Sequence, residues 1–210
     1  MWLQIVLDIL TILTAARVLK KMRIVEIGVQ DKRLWLQCGL LSLTVAIFYY
    51  VICRKGYSVM TVLNLALVFT ILLLAAAVDC KCQKIPNSLV LAGFLGKSIL
   101  LGIELIQKPE CAVELLAMSA AGCIASLVLL LLLSAFTRHG IGYGDVKLFA
   151  MIGYAMGIWD TYSILFYSAL FAACYGGYLL LVVKAGKEHK MPFAPFVFAG
   201  MYAVCLFMAG

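Results

Sequence analysis

Two aspartates stand where apolar runs of this 210-residue chain meet polar sequence. Asp79 directly follows Ala75-Ala76-Ala77-Val78 and leads into Cys80-Lys81-Cys82-Gln83-Lys84-Ile85-Pro86-Asn87. Asp145 follows Gly140-Ile141-Gly142-Tyr143-Gly144 and opens the run from Val146. Carboxylates brought close together can share one proton: the ionised member draws a proton from water while the protonated member gives one to a leaving amine. The chemistry that follows is acid–base hydrolysis. Asp79 ends a helix, where the macrodipole is negative, and Asp145 begins one, where it is positive. On that ground Asp145 is expected to be the ionised base and Asp79 the protonated acid, in a titration that belongs to the coupled pair.

Other residues could border such a centre. Gly140, Gly142 and Gly144 let the backbone take positive φ and approach another chain closely, which would admit an extended peptide beside Asp145. A glycine-rich turn before a helix also suits phosphate, but no strand precedes it as a dinucleotide site requires. In Lys190-Met191-Pro192-Phe193-Ala194-Pro195-Phe196 the two prolines break regular helix, and irregular backbone at membrane depth is tolerated where it lines a cavity. Pro192, Phe193 and Pro195 read either as a helix entry with aromatic anchors at the interface or as a wall of a substrate groove that Gly142 and Gly144 also border. Lys147, two residues past Asp145, points to another helix face and serves as an interfacial anchor at the substrate's edge instead of a catalytic group. Cys80 and Cys82 form Cys-x-Cys, not the Cys-x-x-Cys common in structural zinc sites, so two reduced thiols are expected and no metal or cofactor, even with His139 nearby. Lys97, in the middle of an apolar run, is a functional candidate by cost alone. It shares a side with Glu104 two turns on, and snorkelling or pairing with Asp8 or Glu114 stays open.

The elements that must position these groups follow from composition. The chain is 65% hydrophobic and 13% charged, far from the roughly 25% charged of soluble domains, and its mean hydropathy is +1.08. Unbroken apolar stretches exclude an alternating β-barrel and predict an all-α polytopic membrane protein. Eight spans are expected, at 2–19, 34–53, 58–78, 88–106, 112–136, 145–159, 161–183 and 191–210, with a tight hairpin at Trp159-Asp160. The first of them reads as a retained helix, because its positive charges follow the apolar run, and Asp8 within it reads as an interfacial residue. Residues 1–57 would carry two of the spans and one long loop; residues 58–210 would form a six-helix core.

The net charge of +7 is topological and does not call for nucleic acid as a partner. Arg17, Lys20, Lys21, Arg23, Lys32, Arg33, Lys81, Lys84, Arg138, Lys147, Lys184, Lys187 and Lys190 fall in odd-numbered loops, whereas Arg54, Lys55 and Lys108 fall in even-numbered ones. That asymmetry puts the odd loops, and with them Asp79 and Asp145, on the cytoplasmic side. Of the eight cysteines, Cys38, Cys53, Cys123, Cys174 and Cys205 lie in apolar runs as small hydrophobes, so no disulfide framework is expected.

In this arrangement the chain resembles the type IV prepilin peptidases, membrane aspartyl proteases of the GxGD class. Asp79 with Ile85-Pro86-Asn87 matches the first motif of that family, Gly142-Tyr143-Gly144-Asp145-Val146-Lys147-Leu148 the second, and Pro192-Phe193-Ala194-Pro195-Phe196 the proline-phenylalanine element near the C-terminus. Presenilins and signal-peptide peptidases share the GxGD aspartate, but their Pro-Ala-Leu element is absent here. The resemblance implies cleavage of the short basic leader of a prepilin or pseudopilin precursor at the inner face of a bacterial cytoplasmic membrane, with Asp79 and Asp145 catalytic and the substrate's apolar helix arriving laterally from the bilayer. Longer family members also N-methylate the new terminus and carry a cysteine-rich cytoplasmic insert. The loop from Lys20 to Arg33 has no cysteine, so that zinc site is not expected and the methyl transfer does not carry over. From another class, the same aspartates could carry protons or cations through a transporter or metal permease, and a catalytically silent assembly factor is a third reading. No motif fixes an oligomeric state.

Overall fold

The computed structural model describes residues 58–136, 141–183 and 191–207. The expected spans at 2–19 and 34–53, the domain boundary at 57, Asp8 and His139 lie outside the described residues. Among the described residues there are six α-helices and no strand: α1 (Val59–Cys82), α2 (Asn87–Gln107), α3 (Ala112–Phe136), α4 (Tyr143–Met156), α5 (Ile158–Tyr178) and α6 (Ala194–Phe207). A short 3₁₀ turn, Pro109–Cys111, joins α2 to α3, and a π-helical turn, Leu179–Val183, extends α5.

Local sequence sets the ends. The Ser58 hydroxyl accepts the Thr61 N–H at 3.2 Å and starts α1 as an N-cap. The helix does not stop at Val78 but runs on to Cys82, where Gln83 takes left-handed backbone (φ 51°) and its N–H bonds the Asp79 carbonyl. Asp79 therefore lies inside the last turn. The expected hairpin at Trp159-Asp160 falls two residues earlier: Gly157 (φ 80°) makes the break, and both residues belong to the first turn of α5. Only glycine takes that backbone without strain, and Gly157 ends α4 by bonding the Gly153 carbonyl.

Four helical segments, containing α1, α2, α3 and α5, are long and apolar enough to cross a bilayer. Leu91, Leu95 and Ile99 on α2 and Val113 and Ile124 on α3 point outward, a surface suited to lipid, and the chain is a multi-pass membrane protein. Helix α4, of 14 residues, is about 21 Å long, less than a hydrocarbon core. It is instead the centre of the bundle, touching α1, α2, α3 and α5 and burying Leu148, Phe149, Met151 and Ile152 completely. Small residues bring its neighbours in: Gly153 meets the Gly122 carbonyl of α3 and Ser126, and Gly93 of α2 faces Met151. At its far end the Asn64 amide of α1 donates to the Ala155 carbonyl at 2.7 Å, satisfying one of the orphan acceptors of the last turn. Helix α6 packs between α1 and α5, with Phe69 and Phe198 rings 4.7 Å apart.

Candidate active site

The three junctions singled out by the sequence meet at one end of the bundle. Asp79 comes from the last turn of α1, Asp145 from the first turn of α4, and the chain before α6 closes over both. Asp79 is buried, with 6% of its surface exposed, and its Oδ2 accepts the backbone N–H of Ala194 at 3.0 Å. Ala194 is the first residue of α6, so the carboxylate at the C-terminal end of one helix caps the N-terminal end of another. Asp145 is partly buried, and its charge and that of Asp79 repel each other. The contrast of dipoles drawn from the sequence is offset: Asp79 still ends α1 but also faces the N-terminus of α6. Burial, and after it the charge of Asp79, pushes the Asp145 carboxyl up to about 6, against its expected place as the ionised base. A long-range contact, not legible in the spacing, supplies what the local dipole denies.

Gly140 lies outside the described residues; Gly142 and Gly144 act through space and not through positive φ. Gly142 has φ −68° and extended backbone as the N-cap residue of α4, and Gly144 is helical. A Cβ at Gly142 would stand 3.3 Å from Asp145 Oδ2, and one at Gly144 would stand 3.3 Å from Ile85 Cβ. Gly144 thus lets α4 seat against Ile85 in the turn between α1 and α2, the turn that follows Asp79. Gly144→Val is expected to force that turn outward and reduce both stability, by about 1–3 kcal/mol, and any activity of the pair. Adding Ile85→Ala should restore a measurable part of both, so a double-mutant cycle that shows simple additivity would reject the contact.

The remaining expected site residues are distributed around this pair. Lys147 is exposed and its Nζ donates to Asn87 Oδ1 at 3.1 Å, tying α4 to the start of α2. Pro192 and Phe193 precede α6 as irregular chain, while Pro195 is accommodated inside the first helical turn, where its missing N–H leaves no bond unmade. The Phe193 ring lies 6.3 Å from that of Phe149 on α4 and, with Met191, borders a cavity whose wall includes Asp145. Ala194, whose N–H reaches Asp79, is the contributor the sequence reading missed: a backbone donor leaves no side-chain signal, and only its place between two prolines marked it.

Cys80 and Cys82 are exposed, and no cluster of three or more His, Cys, Asp or Glu that could hold a metal occurs among the described residues. Lys97 is buried on α2 and interacts with the charge of Glu104 on the same helix.

Comparison with known proteins agrees with the geometry. The sequence model of the type IV leader peptidase family matches residues 66–177, a segment that contains both aspartates. A prepilin leader peptidase/N-methyltransferase of Bacillus subtilis is 34% identical over 143 residues, 68% of this chain and 55% of that protein. One from Pseudomonas putida is 32% identical over 171 residues, covering 80% of this chain and 55% of the relative. The leader peptidase HopD of Salmonella typhimurium is 35% identical over 65 residues, 30% of this chain and 41% of that protein. The chain spans about half the length of the first two relatives. No solved structure matches it significantly. These matches support a peptidase and lend nothing to the transporter reading.

Proposed function

The chain belongs to the type IV leader peptidase family, and from that premise we propose that it is a membrane aspartyl endopeptidase acting on prepilin-like precursors, with Asp79 and Asp145 as its catalytic pair. The observation that carries this reading is the pairing itself: carboxylates 66 positions apart in sequence interact at one end of the bundle, where a buried N–H holds one of them in place. Oδ2 of Asp79 accepts the Ala194 N–H, and two carboxyl groups that interact in this way can share one proton. Water between the carboxyl groups loses a proton to the ionised member as its oxygen bonds the scissile carbonyl carbon. The tetrahedral intermediate then collapses, the C–N bond breaks, and the leaving amine takes the proton of the other carboxyl. The pair ends with one proton, as it began.

In the same reading Gly142, Gly144, Lys147, Pro192, Phe193 and Pro195 border the substrate, and the short basic leader rests at the headgroups of the inner leaflet of a bacterial cytoplasmic membrane. The orientation rests on the excess of Lys and Arg in the loops that carry the aspartates, among them Lys81, Lys84 and Lys147. Anionic lipid on that face would attract the leader's positive charge.

The test is direct. Purified protein in liposomes, mixed with a prepilin-like precursor, is expected to release a basic leader and leave a product whose new N-terminus adjoins the apolar segment, read by mass spectrometry. Intact precursor together with proton or cation flux would reject the peptidase.

A further inference from the structure

Asp145 forms part of the wall of a cavity of about 630 Å³ between α3 and α5, within the roughly 300–1,000 Å³ of ligand sites. Leu129 and Leu133 line it from α3, Phe166 and Ala169 from α5, and Phe193 from the chain before α6. Apart from Asp145 and the Tyr162 hydroxyl the lining is apolar. The cavity is not enclosed: Leu133 is 38% exposed, Phe166 65%, and Ala169 is exposed as well. Leu132 and Leu170 beside them also point outward. Both flanking helices, α3 and α5, belong to segments long and apolar enough to cross a bilayer, so a mouth with these walls suits hydrocarbon better than water.

We propose that the gap between α3 and α5 is the lateral port through which the apolar segment of the precursor reaches Asp145. The proposal rests on the peptidase reading above and adds the place on the bundle, between α3 and α5, at which the precursor enters. A polar peptide arriving from the aqueous face gains nothing from walls of Leu, Phe and Ala, whereas an apolar transmembrane segment exchanges lipid for protein contacts without desolvating any charge. Continuity with Asp145 decides which part of the substrate enters. The occupant must present a peptide bond to that carboxylate, so it is the part of the apolar segment next to the cut.

Ala169 is the smallest side chain of the wall and the place to close the port. Two substrates distinguish the route from the chemistry: a full precursor inserted in liposomes, and a soluble peptide that carries the leader and only the first residues beyond the cut. Ala169→Trp is expected to lower the ratio of precursor to peptide cleavage at least about tenfold, because the apolar segment can no longer set the scissile bond at Asp145. Leu116→Trp, on α3 outside the cavity, should leave the ratio unchanged. An unchanged ratio in Ala169→Trp overturns the port. A wild-type protein that cuts neither substrate overturns the peptidase reading instead.

Should the tryptophan variant misfold, Asp145→Asn keeps every wall residue but that one. A precursor that the wild type cuts, carrying a photoreactive phenylalanine analogue in its apolar segment, is then expected to label Leu129, Leu133 or Phe166. Labelling confined to the outward face of α2, at Leu95 or Ile99, or no labelling at all, overturns the proposal.

Discussion

Asp79→Asn and Asp145→Asn are each expected to reduce precursor cleavage by at least about a thousandfold, about 4 kcal/mol of transition-state stabilisation, while leaving the fold intact. Asparagine has the shape of the carboxylate but neither takes a proton from water nor gives one to the amine. The structure lets the chemical loss be separated from a structural one. At position 79 an amide carbonyl can still accept the Ala194 N–H, so the start of α6 remains tied to the end of α1. Asp79→Ala removes the acceptor and leaves that buried N–H without a partner, at a cost of about 1–3 kcal/mol. Activity should therefore be lost alike in the Asn and Ala variants, and the midpoint of thermal unfolding should fall only in the Ala one. Because the two carboxyls act as a unit, Asp79→Asn with Asp145→Asn should be scarcely slower than either alone. A multiplicative loss in the double variant would mean that the residues serve separate steps, and the shared-proton mechanism would be wrong.

How far the sequence reached depended on whether an effect was local. Apolar run length marked the helices, since a span needs about 20 apolar residues whatever its neighbours, and α1, α2, α3 and α5 answer to four of the expected stretches. Ends were harder. The apolar run stops at Val78, yet α1 continues for a full turn because Asp79 can be buried against Ala194, a residue 115 positions away. The sequence points to a hairpin at Trp159-Asp160, where the charge of Asp160 interrupts the apolar run, but the chain turns at Gly157, where backbone geometry sets the position. Both aspartates and the irregular chain at Pro192 were visible as residue types in suggestive positions. The second helix dipole on Asp79, the packing of Gly144 on Ile85 and the tie from Lys147 to Asn87 were not, for each joins segments that have no local reason to meet.

The same distinction governs the prediction with the largest effect on folding. In an exposed helix, exchanging glycine for alanine gains about 0.5–1 kcal/mol through reduced backbone entropy. By propensity Gly102→Ala and Gly153→Ala should then behave alike. At Gly102 a Cβ meets nothing within 4 Å, and neutral to slightly higher stability is expected. At Gly153 the added carbon would overlap the Gly122 carbonyl of α3, with the Gly122 carbon itself at 2.7 Å, and backbone cannot swing aside as a side chain can. Helices α3 and α4 must separate, and Gly153→Ala is expected to cost about 3 kcal/mol, at the upper end of overpacking penalties and a sizeable share of a stability of about 5–15 kcal/mol. Gly122→Ala should cost a similar amount for the reciprocal reason, since its Cβ would overlap the Gly153 carbonyl and lie 2.8 Å from Gly157 Cα. Once one alanine has parted the helices the second costs less, so the pair should be less destabilised than the sum of the single variants. The consequence reaches the site through α4 itself. Gly153 is eight residues from Asp145, about 12 Å along one rigid helix, and a shift at one end tilts the carboxylate at the other. Cleavage measured well below the unfolding midpoint should therefore fall in Gly153→Ala, by about tenfold or more for a displacement near 1 Å, and stay at the wild-type level in Gly102→Ala. Equal stability in the two alanine variants would show that α3 and α4 do not touch through these glycines, and with that the support of Asp145 by the bundle centre would have to be abandoned.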